Sequence, residues 1–179
     1  MKWEVNMKKI ILLFGVFLFL VFADTLSIPV YEYAVIRGNV RGREVSRVLL
    51  RFDLRVLEGK EIFYGEIIIP NFLDSSYLTL EGWRLTTNWQ RNNVNWNSFR
   101  RPGGDYDTTF KTNFIITAHN EDYGYLDITR YLRYWLNNGN NFGILLKRPY
   151  YEGDGFLNEI NNLRRVLDLI RLKIYYVRR

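Results

Sequence analysis

The chain has 179 residues, with 25 Lys and Arg against 19 Asp and Glu, a formal net charge of +6 and no cysteine. Without Cys it forms no disulfide, no thiolate metal site and no lipidated Cys anchor. Its modest cationic excess is dispersed among carboxylates, unlike the concentrated basic stripe of a nucleic-acid binder.

Residues 1–23 carry Lys2, Lys8 and Lys9, an apolar run over residues 10–22, and the ending Val21-Phe22-Ala23. A charged start, a short apolar run and a small residue at the end predict a secretory signal, with Met7 as an alternative start. The run of 13 residues is shorter than the roughly 20 needed to span a bilayer as a helix, so a permanent anchor is the weaker reading. Cleavage after Ala23 leaves 156 of the 179 residues, one domain over 24–179, and removes three Lys and one Glu, which lowers the charge from +6 to +4. A chain of that length buries roughly two-thirds of its unfolded surface in one core. The expected location is outside the cell or on its surface, with no membrane span left after cleavage.

Downstream, residues 26–33 read as an N-terminal strand. Val48, Leu50, Phe52 and Leu54 alternate with Arg47, Leu49, Arg51 and Asp53, the period of a strand with one face on a core. Arg47 and Arg51 therefore share its outer face. Residues 62–70 are apolar and β-branched, and residues 78–86 alternate around Trp83 and Leu85, with Trp83 expected to face inward. Residues 92–109 form a long loop rich in Asn, Arg, Gly and Asp, and residues 110–118 are a candidate strand. After a strand at 126–128, Ile128, Leu132 and Trp135 recur at helical spacing, with Thr129 placed to cap the first turn and Gly139 to end the last. A short amphipathic helix over 129–138 follows, and then a continuous apolar strand at 142–146. Leu163, Val166, Leu167 and Ile170 are also helically spaced, although the end of that stretch equally suits the start of the final strand at 171–177. Short strands separated by Asn, Gly and Asp clusters predict an all-β fold, a jelly-roll-like antiparallel β-sandwich with one short helix.

Three blocks of this chain resemble the DNRLRE domain, a secreted β-sandwich family related to carbohydrate-binding modules. Leu49-Leu50-Arg51-Phe52-Asp53-Leu54 is similar to its early Leu-Leu-Arg-Phe-Asp-Leu strand. Trp89 together with Val94-Asn95-Trp96-Asn97 is similar to its Trp-x-Glu-x-x-Val-Thr-Trp-Asn loop. Asp127-Ile128-Thr129, Trp135-Leu136 and Asn141-Phe142-Gly143-Ile144-Leu145-Leu146 match the capped helix and the strand after it. Gln90 and Arg91 stand where that pattern has an acidic residue, and residues 161–170 look inserted before the last strand. The resemblance spans about residues 47–177, implies a framework role for Trp89 and Trp96, and brings no catalytic residue with it.

The chemistry on offer is therefore binding. Arg47, Arg51 and Arg84, together with Arg171, Lys173 and Tyr175 from the last strand, are the candidate carbohydrate-binding residues if their strands border one surface. Guanidinium groups pair bidentately with carboxylates, so an acidic polysaccharide of uronic acids is the expected partner. No cofactor is expected. A structural calcium is weighed for Gly104-Asp105-Tyr106-Asp107 and Glu121-Asp122, which supply hard oxygen ligands, while ordinary Asx turns account for the same acids. His119, the single histidine, and Tyr123 or Tyr125 would be base and acid of a polysaccharide lyase, the third reading. The second is a structural subunit that self-assembles by strand addition through free terminal strands at residues 26–33 and 171–177. Exposed stacking is expected from Tyr106, Tyr150, Tyr151 or Tyr175 rather than from the tryptophans.

Overall fold

The computed structural model describes residues 24–73, 77–117 and 122–178. The segment read as a secretory signal, residues 1–23, and His119 lie outside them. Eight strands are formed among the described residues: β1 Asp24–Val40, β2 Arg43–Phe52, β3 Lys60–Pro70, β4 Tyr77–Arg84, β5 Thr112–Thr117, β6 Tyr123–Asp127, β7 Ile144–Lys147 and β8 Arg171–Arg178. All pairings are antiparallel, in the order β5-β4-β7-β2-β1-β8-β3-β6. β1–β8–β3–β6 and β2–β7–β4–β5 are the two four-stranded halves of a jelly roll. The end strands β5 and β6 approach one another, so the sheet nearly closes. The fold is all-β and sandwich-like, as the strand pattern predicts.

β1 joins the halves. Its residues 24–29 pair with β8 and its residues 30–40 with β2, and the register shifts between Val30 and Glu32. A bulge bends a strand and increases its twist, which lets one strand of 17 residues turn the corner between two packed sheets. β8 lies between β1 and β3. The terminal strands expected to be free are thus paired with each other, and the last one is internal to its sheet.

The main core lies between the halves, with Val48, Leu50 and Phe52 from β2 meeting Leu172, Ile174 and Tyr176 from β8 and Ile67 and Ile69 from β3. Helix α1, Thr129–Asn138, closes one end by inserting Ile128, Tyr131, Leu132 and Trp135. The Tyr131 hydroxyl donates to the carbonyls of Gly82 and Phe110 at 3.0 and 3.1 Å. Gly139 ends the helix at φ 71°, its N–H donating to the Trp135 carbonyl, the left-handed stop that a glycine takes without steric cost. The N-terminal cap differs from expectation. Asp127 Oδ1 accepts the Thr129 N–H at 2.8 Å, while Thr129 Oγ1 accepts the Gly65 N–H at 3.0 Å, so Thr129 ties α1 to β3. Gly65 is required there because a Cβ on it would lie 2.1 Å from Leu132 Cδ1. A second helix, α2 Ile160–Val166, precedes β8 and buries Ile160 and Leu163.

A second cluster covers the outer side of β2–β7–β4. Ile36, Val45, Leu49, Leu85 and Leu145 pack there under Trp89, Trp96 and Phe99 from the long loop. Trp83 packs against this outer cluster, with its ring 5.0 Å from Tyr106. It does not face the inter-sheet core, because β4 places Leu78 and Leu80 inward and Trp83 in the opposite phase.

Candidate functional site

The six candidate residues divide into two groups. Arg47 and Arg51 do lie on the outer side of β2, in phase with Val45 and Leu49, but that side is roofed by the loop. Arg47 is only 4% exposed. Its guanidinium bonds Asp154 Oδ2 at 2.6 Å, the Gly103 carbonyl at 2.8 Å and the Asp154 carbonyl at 3.2 Å, and sits 4.7 Å from the Trp96 ring centre. Asp154 also meets Lys147, which reaches Glu81 Oε2 at 3.3 Å, while Lys111 bonds Glu81 Oε1 at 2.5 Å and Trp83 Nε1 donates to Glu81 Oε2 at 3.1 Å. Burial works to raise the Glu81 pKa, yet the bond from Lys111 and the charge of Lys147 outweigh it and hold the carboxyl below its ordinary value. Arg47, Lys147, Asp154 and Glu81 are largely buried and mutually paired, the arrangement that low dielectric demands, while Lys111 reaches Glu81 from a half-exposed position.

Arg51 repeats the pattern four residues along β2, two pleat repeats away. It pairs with Glu32 at 3.2 Å, donates to Asn88 Oδ1 and the Trp89 carbonyl at 2.8 and 2.9 Å, and stacks 4.6 Å from the Trp89 ring centre. Trp89 Nε1 donates to the Phe142 carbonyl at 2.7 Å, and Asn141 Nδ2 to the Phe52 carbonyl at 2.8 Å. Two arginine–tryptophan stacks thus clamp the loop onto the sheet. Arg84, whose strand phase is that of Leu78 and Leu80, turns to the other side, pairs with Asp107 at 2.8 Å and lies 3.8 Å from the Tyr134 ring centre on α1. Its cation does not join those of β2.

Arg171, Lys173 and Tyr175 occupy the outer side of β1–β8–β3–β6, opposite in phase to the core residues Leu172, Ile174 and Tyr176. The register sets Lys173 beside Ser27 and Glu66, Glu66 beside Asp127, Tyr175 beside Thr25 and Tyr64, and Ile68 between Arg171 and Tyr125. This side is uncovered: Tyr64, Tyr123 and Tyr125 are 37%, 45% and 49% exposed. The Tyr64 and Tyr175 rings are 5.9 Å apart. Tyr125 is level with Ile68, four residues along β3 from Tyr64, or roughly 13 Å at the rise of a strand. Tyr64 donates to Glu66 Oε2 at 3.0 Å, and burial, followed by that bond, pushes its pKa up to about 12. Contact with Tyr175 raises the pKa of Lys173, against a small opposing effect of burial. Arg171 donates to the carbonyls of Asp168 and Ile170 at 2.6 and 2.9 Å. The face therefore presents four tyrosines with two cations set against two carboxylates. Tyr64, Glu66 and Tyr125 belong to it through strand register, for which local sequence carries no signal.

Two of the acids weighed for calcium, Asp105 and Asp107, already have protein donors. Asp105 accepts the N–H groups of Arg100 and Arg101 at 3.0 and 2.8 Å and the Thr87 hydroxyl at 3.1 Å, while Asp107 accepts the N–H and hydroxyl of Thr109 and pairs with Arg84. Among the described residues no three His, Cys, Asp or Glu side chains gather as metal ligands, and no helix is long and apolar enough to cross a membrane. Glu121, like His119, is outside those residues. No protein-family model and no curated protein matches the chain.

Proposed function

We propose that the protein is an exported, non-catalytic module that binds a polysaccharide across the tyrosine face of β1–β8–β3–β6. The observation that carries this reading is the uncovered sheet bearing Tyr64, Tyr175, Tyr125 and Tyr123 on three adjacent strands, β8, β3 and β6. A tyrosine offers an apolar ring to the carbon face of a sugar and a hydroxyl to its rim. A row of rings over roughly 13 Å suits an extended polymer better than a small substrate held in a cleft. The resemblance to the DNRLRE domain supports the same class, since its three blocks pack on one another here through Arg51 and Trp89, and through Asn141 and Phe52.

The charge pattern shifts the expectation of an acidic ligand away from this face. Arg47, Arg51 and Arg84 are committed to carboxylates elsewhere, and Arg171 and Lys173 are offset by Glu66 and Asp127. Stacking and hydroxyl hydrogen bonds dominate, so an uncharged glycan fits the face as well as a charged one. Glycan-array screening followed by calorimetry tests the reading. Tyr125→Ala and Tyr175→Ala should each weaken the best ligand by about tenfold or more, at ~1–3 kcal/mol for a buried aromatic contact, with an unchanged melting temperature. Full affinity in both variants would refute it.

A further inference from the structure

A pocket of about 330 Å³ opens beside β1 on the other half of the sandwich, lined by Tyr33, Ala34, Val35, Val94 and Leu167 together with Arg91 and Arg164. We propose that it is a separate subsite for an acidic sugar, taking the carboxylate of a uronic acid between Arg91 and Arg164.

Neither cation is committed to a carboxylate among the described residues, a state they share with Arg100, Arg101 and Arg165 close by in the chain. Arg47, Arg51, Arg84 and Arg148 each have a carboxylate within ion-pair distance, whereas no ion pair among the described residues includes Arg91 or Arg164. Two acids adjoin the pocket wall in the chain: Asp168, exposed beside Leu167, forms no ion pair with either arginine among the described residues, while Glu32 has both oxygens engaged, Oε2 pairing with Arg51 at 3.2 Å and Oε1 accepting the Arg91 backbone N–H at 2.7 Å. That bond fixes the Arg91 backbone, and its guanidinium is held over the Tyr33 ring at 4.6 Å. Stacking uses the face of a guanidinium and leaves its in-plane N–H donors free for a bidentate acceptor.

The apolar part of the lining favours an anion carried on a carbon skeleton. Valine and leucine side chains and the Tyr33 ring have no use for a hydrated inorganic ion, but they match the C–H surface of a pyranose. The volume is at the small end of ligand pockets, roughly 300–1,000 Å³, which suits one sugar ring rather than a nucleotide. Two cations likewise lack the extended positive track of a nucleic-acid site. The larger hollow of about 550 Å³ beside α1 makes the contrast: it mixes Glu58 and Glu61 with Lys60, and its Arg133 donates to the carbonyls of Ile62 and Phe63 at 3.4 and 2.9 Å.

This subsite shares only a ligand class with the tyrosine face, and one calorimetric series separates them. The full chain is titrated with trisaccharides of galacturonate, glucuronate, mannuronate and guluronate, and with the carboxyl-reduced, neutral form of each. At least one acid trimer should bind about tenfold or more tightly than its neutral form, the discrimination expected of a charge-assisted pair. The double variant Arg91→Gln with Arg164→Gln should erase that ratio without moving the melting temperature, because both side chains are exposed. Tyr125→Ala should leave the ratio intact, so failure of the tyrosine face and failure of this subsite give different results. Equal affinity for acid and neutral forms in all four series, a ratio that survives the double variant, or displacement by acetate as effective as by the trimer would each overturn the proposal.

Discussion

Replacing Arg47 by Met tests whether the cations of β2 are structural or are available to a ligand. Met keeps an unbranched apolar stem but removes every polar contact. Asp154 then faces Lys147 alone, the Gly103 carbonyl loses its 2.8 Å donor, and the Trp96 ring loses the guanidinium stacked on it. Removing one partner from a buried ion pair costs about 3–5 kcal/mol, because a charge is left in low dielectric without compensation. Lys147 still neutralises part of that charge, which places the expected cost near the lower bound, about 3 kcal/mol. With a urea slope of about 1–3 kcal/mol per molar, the unfolding midpoint falls by about 1.5 M at a mid-range slope. Urea titration followed by tryptophan fluorescence is suited to this measurement, since Trp83, Trp89 and Trp96 lie in the same cluster. Arg55→Met is the control: Arg55 pairs with Asp53 in the open, its side chain 85% exposed, and its loss should hardly move the midpoint. An unchanged midpoint in the Arg47 variant, or loss of glycan binding with stability intact, would show that Arg47 serves a ligand and would refute the clamp.

Three further outcomes follow from the fold. Trp135→Ala should cost about 3–5 kcal/mol, as large-to-small core changes do, because the ring is 2% exposed in the main core; an unchanged melting temperature would contradict that placement. Gly65→Val should destabilise by about 1–3 kcal/mol through overpacking, since its Cβ would meet Leu132, and the loss should show as weakened α1 protection in hydrogen exchange. Acid should unfold the protein partly through Asp107, whose carboxyl is held at about 2 instead of 3.8, chiefly by the Thr109 hydroxyl and also by Arg84, against an opposing effect of burial. The folded state then binds this proton less readily than the unfolded state, so the contribution is complete above about pH 4 and is lost as pH falls towards 2. Asp107→Asn should flatten that part of the melting-temperature profile; an identical slope would remove Asp107 as a cause.

Alternation and helical spacing were enough to give most strands, α1, its Gly139 stop and the inward Trp135, because each depends on contacts between a residue and its own element's core face. The same alternation places Arg47 and Arg51 away from that core, and there its information ends. Period two says which side of a strand a residue takes, not whether a loop 40 residues later covers that side. Here the loop does cover it, and two residues that read as a solvated binding face are the underside of Trp89 and Trp96. Trp83 was assigned to the wrong side for the same reason: an aromatic in an alternating strand marks burial, and both sides of β4 are buried. Thr129 opens a helix and reads as its cap, yet Asp127 is close enough to take that role once β6 ends there, which frees Thr129 for Gly65. The length of β1 was likewise invisible, since its two halves are held by different partners on opposite edges. The tyrosine face and the Arg91–Arg164 pocket exist only through register and packing across the whole chain. Sequence determined which segments are strands and which way their cores point, and tertiary structure decided which of the remaining faces stay open to a ligand.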